Sequence, residues 1–190
     1  QCSRCIRLGV HDGCEYARAT RLMFFKVYTN KTAHNAVDFL DPCKTYFPFY
    51  ISHVLTDNGA EFTDRFTHRK NKPSGNHSFD MACINGHIDH RLTAPATPKT
   101  NGMVERVNGT MKNATIKVLT YKDETELKAD LDKFLVYYNL NRRHGGLKRE
   151  LKVRAPFEAV ECWYRMNPQI FIKSPDMFRA ELLKNHGITS

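Results

Sequence analysis

Two carboxylates stand where a chain can present them to one ligand. Asp57 follows residues 51–56, a short and mostly apolar run that reads as a strand. It opens Asp57-Asn58-Gly59, a turn built of residues that tolerate positive φ. Asp57 is therefore expected at the carboxyl end of a strand, where α/β folds place ligands. Glu105 lies in the first turn or so of an expected helix, near the positive end of its dipole, which favours the anion. Carboxylates held on rigid elements can ligate a hard cation. Phosphodiester chemistry with two divalent metals needs such carboxylates to converge around ions roughly 3.5–4 Å apart. Magnesium takes oxygen ligands and keeps several waters, so two or three carboxylates suffice. Asp57 and Glu105 are 48 positions apart, so only the fold can join them. Glu61 is the rival ligand; its other reading is a partner for a nearby basic group or backbone.

The elements that would position these residues can be read in outline. Residues 93–108 contain Pro95 and Pro98, which exclude helix or central strand at their start. Asn101 then offers a cap to a new helix. Met103, Val107 and Met111 form its apolar stripe, and Lys112 lies two turns beyond Glu105 on the same face. Taken alone, this stretch also fits an ordinary amphipathic helix with a capping carboxylate. Further helices are expected over residues 32–46, 79–85, 124–138 and from Pro156, with strands over 22–28 and 88–93. Residues 63–78 read as a polar, basic connection, either a DNA-contacting loop or a solvated insertion. His53, His87 and His90 fall on strand patterns, where packed or surface histidines are commoner than ligands.

The motifs Thr56-Asp57-Asn58-Gly59-x-Glu61-Phe62 and Pro98-x-Thr100-Asn101-Gly102-x-Val104-Glu105-Arg106 resemble those of the DDE transposase and retroviral-type integrase catalytic core, most of all the bacterial insertion-sequence transposases. A third piece agrees: residues 138–147, Tyr-Asn-Leu-Asn-Arg-Arg-His-Gly-Gly-Leu, followed by Ala155-Pro156-Phe157-Glu158-Ala159, resemble that family's closing segment. The order is the family's, and the resemblance runs from about residue 19 to about residue 163. It divides the chain into an N-terminal segment over 1–18, a catalytic core over 19–165 and a C-terminal tail over 166–190.

The resemblance implies an α/β fold, a ribonuclease-H-like mixed sheet flanked by helices. It implies Asp57 and Glu105 as catalytic, metal-binding residues, with Mg2+ or Mn2+ as cofactor, two ions in an intact site. Double-stranded DNA, as element ends and target, is the implied partner, and the active form is expected to be a homo-oligomer. Arg106, Asn108, Lys112 and Lys117 are the candidate DNA-contacting residues. The family's third ligand is an Asp on a first strand, upstream of a turn that Ala19-Thr20-Arg21 matches. Asp12 lies eight residues before Thr20, too close for a strand, a turn and a second strand at usual lengths. The first strand and its Asp are therefore expected to be missing or altered here. The alternatives to an active transposase core are a catalytically inactive DNA-binding remnant and a nuclease of the same fold.

Composition sets the remaining bounds. Lys plus Arg exceed Asp plus Glu by 29 to 20, a net charge of +9 that suits a polyanion partner. No apolar run approaches the length of a membrane span and no signal peptide is visible, so a cytoplasmic, nucleoid-associated protein without membrane contact is expected. Six cysteines in such a chain are expected to be reduced. Cys2, Cys5, His11 and Cys14 approach a zinc-knuckle pattern, but their spacing does not match one. Arg142, Arg143, His144, Lys148 and Arg149 form a basic cluster that either binds DNA or positions the last helix.

Overall fold

The structure is a computed structural model, and it describes residues 19–28, 30–67, 72–94, 109–110, 113 and 121–187. These fall into two compact units. The first takes its described residues from 24–46 and 51–94, the second from 19–23, 47–50 and 109–187.

In the first unit, helix α1 (Ala33–Tyr46) starts at Thr32, whose hydroxyl accepts the Asn35 N–H at 3.2 Å. Strand β1 (His53–Thr56), helix α2 (Ser78–Asn85) and strand β2 (Asp89–Leu92) follow. The two strands pair in parallel, with Val54 opposite His90 and Thr56 opposite Leu92. A parallel pair needs a covered face. Val54 and Ile88 supply it, packed with Ala36 and Leu40 of α1 and Phe79 and Cys83 of α2. Burial of a side chain of this size contributes about 1.5–3 kcal/mol each. Burial pushes the Cys83 thiol up to about 12, with the Asp80 charge adding to it, so this cysteine is a core residue and not a nucleophile.

Residues 22–28 are expected as a strand, yet they join no ladder among the described residues. Side chains hold the part of this run that lies in the first unit. Phe24 packs on Phe39 and Tyr46 of α1, with ring centroids 5.4 and 4.6 Å apart. Lys26 and Tyr28 both reach the Asp38 carboxylate, at 2.6 and 2.5 Å. Those two bonds, Lys26 first, hold the Asp38 carboxyl below the usual carboxylate range.

The second unit is helical: α3 (Glu124–Leu140), α4 (Gly145–Glu150), α5 (Pro156–Met166), a 3-10 turn (Pro168–Ile170) and α6 (Pro175–Asn185). Asp123 caps α3 by accepting the Glu126 N–H at 2.9 Å. Pro156 and Pro175 occupy first-turn positions, where a missing N–H costs nothing. The segment expected as a tail carries α6, with Phe178 and Leu182 buried. Phe49 bridges antiparallel to Phe171, and the Tyr50 N–H donates to Ile170 O at 3.0 Å. Asn139 is fully buried and holds the Met23 backbone at both ends. Its Oδ1 accepts the Met23 N–H at 2.8 Å, and its Nδ2 donates to Met23 O at 2.9 Å. A side chain here does what a neighbouring strand would do.

His144 does not belong to the basic cluster. Burial, helped by the Arg142 and Arg21 charges, pushes it down to about 4 from the ordinary 6.5. Its Nε2 is buried with no hydrogen-bond partner among the described residues, and its ring stands edge-on to Tyr138 at 5.1 Å. Arg143, Lys148 and Arg149 remain exposed cations. Because the folded-state value is depressed, the unfolded chain binds more protons between 6.5 and about 4. Stability is thus complete above that window and falls as pH drops through it. For a fully buried ring the loss would be about 3 kcal/mol; partial exposure reduces it to roughly 1–2 kcal/mol. Urea denaturation should show that loss, and His144→Phe should flatten the slope. An unchanged slope in the variant would assign it to other groups.

Candidate functional site

The carboxyl ends of β1 and β2 are tied together by main chain and side chains. The ladder continues one step, with the Thr93 N–H donating to Thr56 O at 2.9 Å. Asn58 Nδ2 donates to Thr93 O at 2.9 Å, and Arg65 Nη1 donates to Asn58 Oδ1 at the same distance. Thr56 Oγ1 lies 2.8 Å from His90 Nε2. Asp57 emerges from this knot exposed, its Oδ1 accepting the Gly59 N–H at 2.9 Å. That short bond closes an Asx-type turn and fixes the carboxylate's near side.

Gly59 is not needed here for a positive φ, since no residue from 57 to 59 has one. It leaves space that the end of the Glu61 side chain fills. A Cβ at Gly59 would come within 2.7–2.8 Å of the Glu61 carboxylate, which folds back over it. Glu61 is itself buried, and its carboxylate lies against Gly59, the residue whose N–H Asp57 accepts.

The donor set suits a hard cation: an exposed carboxylate on a braced strand end, with one oxygen engaged by a backbone N–H. Among the described residues no group of three His, Cys, Asp or Glu could hold a metal ion, and Asp57 is the one expected ligand they include. Glu105, Arg106, Asn108, Lys112 and Lys117 lie outside the described residues. So do Asp12 and the Cys2, Cys5, His11 and Cys14 set. Gly109, Thr110 and Asn113, within the expected Glu105 helix, are helical.

Sequence reasoning passed over Asn58, Asp80 and the bonding of His90. A histidine on a strand pattern gave no sign of its partners, which come from α2 and the neighbouring strand.

Residues 86–150 match the family model for the integrase core domain, a segment that contains Glu105 and the motif at 138–147. The integrase-like ORF3 protein of Spiroplasma virus SpV1-C74 is 25% identical over 142 residues, covering 73% of this chain and 38% of that protein. The chain thus spans well under half the length of that relative. The catalytic core domain of BIV integrase superposes with a TM-score of 0.53 at 22% identity, over 79% of this chain and 84% of that one. The HTLV-2 integrase catalytic core domain in complex with magnesium, in its trimeric form, gives 0.50 at 20% identity, over 74% and 77%. The superpositions establish a ribonuclease-H-like fold. Beyond the fold, residues 86–150 carry the likeness to the integrase core model. No helix among the described residues is long and apolar enough to cross a membrane.

Proposed function

We propose that this core cuts and joins DNA in transposition or integration, with Asp57 and Glu105 as the metal-binding carboxylates. The observation that carries the reading is Asp57, exposed and turned back on Gly59 at the carboxyl end of β1. Bound Mg2+ or Mn2+ would activate the attacking oxygen and stabilise the leaving one. The protein's own part is to hold Asp57 rigid through Asn58, Thr93 and Thr56; Glu105 would come from the helix expected after Pro95 and Pro98. Double-stranded DNA is the substrate, and assembly into a homo-oligomer brings two ends together.

Labelled donor ends in a strand-transfer assay test the reading and separate a transposase from a nuclease. Residues 1–190 alone are expected to join little or nothing, because this reading identifies only two of the three carboxylates that such chemistry uses. An added upstream strand bearing an Asp, with a region that binds the DNA ends, should bring joining up. Clear joining by residues 1–190 that vanishes in Asp12→Asn would instead make Asp12 the third ligand. No joining by the extended form would favour a DNA-binding remnant.

Binding to duplex DNA is expected to run mainly through phosphates, given the +9 charge. Neutralising only two phosphates already implies about a tenfold loss of affinity between 50 and 200 mM salt. A salt-independent affinity would count against this. Lys112→Ala should weaken binding to all sequences by a similar factor, whereas loss at one sequence alone would mean base readout.

A further inference from the structure

Beneath Asp57 lies a chain of three polar side chains that the proposed chemistry does not use. Thr56 is buried, as expected from the alternation along β1, which turns Val54 and Thr56 toward the core. Its hydroxyl meets His90 Nε2 at 2.8 Å. The other ring nitrogen, Nδ1, bonds Asp80 Oδ1. The His90 side chain is 5% exposed and that of Asp80 15%, so both bonds lie largely away from bulk solvent. Phe79 closes the ring's flank edge-on, with centroids 4.9 Å apart. Asp80 stands in the first turn of α2, where the helix dipole supports a carboxylate. Its second oxygen is buried with no hydrogen-bond partner among the described residues, so His90 is the one hydrogen bond that compensates its burial.

The directions of these bonds follow from their partners. A carboxylate accepts, so Nδ1 carries the hydrogen; in the neutral ring Nε2 then accepts from the Thr56 hydroxyl. Asp80 selects the tautomer, the tautomer selects the hydroxyl rotamer, and the hydroxyl pins the last residue of β1. The next residue is Asp57.

We propose that Asp80 and His90 are positioning residues for Asp57: they lock Thr56, and through it the direction in which the Asp57 carboxylate leaves the strand. The proposal rests on the reading of Asp57 as a metal-binding carboxylate. A purely core-filling role for the trio would affect folding but not the affinity of Asp57 for a cation in the folded protein.

Mn2+ added to the 15N-labelled chain separates these roles. The Gly59 amide donates to Asp57 Oδ1, so its NMR signal should broaden when the ion binds there. Asp57→Asn should abolish the broadening. Thr56→Val, nearly isosteric but without the hydroxyl, should need about fivefold more Mn2+, the factor that one hydrogen bond is worth. Thr56→Ser restores the hydroxyl and should return the wild-type midpoint. The double variant Asp80→Leu/His90→Phe removes both buried polar partners together and should shift the midpoint as Thr56→Val does. Wild-type midpoints in Thr56→Val and the double variant, with Asp57→Asn inactive in binding, overturn the positioning role alone. Broadening that survives Asp57→Asn overturns the metal reading and takes this proposal with it. Loss of the dispersed amide spectrum in both Thr56→Val and the double variant would assign the trio to folding and likewise overturn the proposal.

Discussion

Asp57→Asn should reduce strand transfer by about a thousandfold, roughly 4 kcal/mol of lost transition-state stabilisation. The substitution changes little else. An asparagine oxygen can still accept the Gly59 N–H that now binds Asp57 Oδ1 at 2.9 Å, so the turn should close as before. The exposed position imposes no packing penalty. What disappears is the negative charge that the proposed site would use to hold a divalent cation. Glu61→Gln is the informative contrast. Glu61 is buried over Gly59, and its loss should show in stability more than in joining. The comparison is made in the form that carries an upstream Asp, with joined product measured in magnesium and in manganese. A variant at Asp57 that keeps a tenth or more of the joining would remove this residue from the site.

The sequence made Asp57 readable because two independent local signals meet there: an apolar run and a turn. The same signals gave the wrong reason for Gly59. Turn chemistry suggests backbone freedom, whereas the structure uses the missing Cβ to admit the Glu61 carboxylate. Residues 22–28 have a strand's composition, but a strand is a property of pairing. At Met23 the backbone is met instead by Asn139, 116 positions away. The Thr56–His90–Asp80 chain was equally hidden. It depends on the parallel register that sets Val54 opposite His90 and on the placement of α2 under both strands. Neither leaves a mark on local periodicity. The basic reading of His144 failed for a related reason: nothing local marks the burial that, helped by the Arg142 and Arg21 charges, pushes the ring down to about 4.

Asn139→Leu should be the most destabilising single change in the second unit. Leucine is close in size, so the cost comes from hydrogen bonding and not from a cavity. The Met23 N–H and C=O would both lose their partner inside a region where Thr20, Leu22 and Met23 are fully buried. Each buried, unsatisfied backbone group costs about 1–3 kcal/mol, so the pair should cost roughly 2–6 kcal/mol. That is a large share of the 5–15 kcal/mol that typically holds a domain together. Urea denaturation should show a lower midpoint with an unchanged slope, since the area exposed on unfolding is nearly the same. Asn139→Asp keeps an acceptor for the N–H but has no donor for the carbonyl, and it places a charge in the same buried site; it should also destabilise. The Tyr138-Asn139 pair sits in the motif that resembles the integrase closing segment, yet this asparagine touches backbone at the start of the described chain. A loss below about 1 kcal/mol in Asn139→Leu would mean that water replaces the amide at Met23, and the side chain would no longer explain how the Met23 backbone is held without a strand beside it.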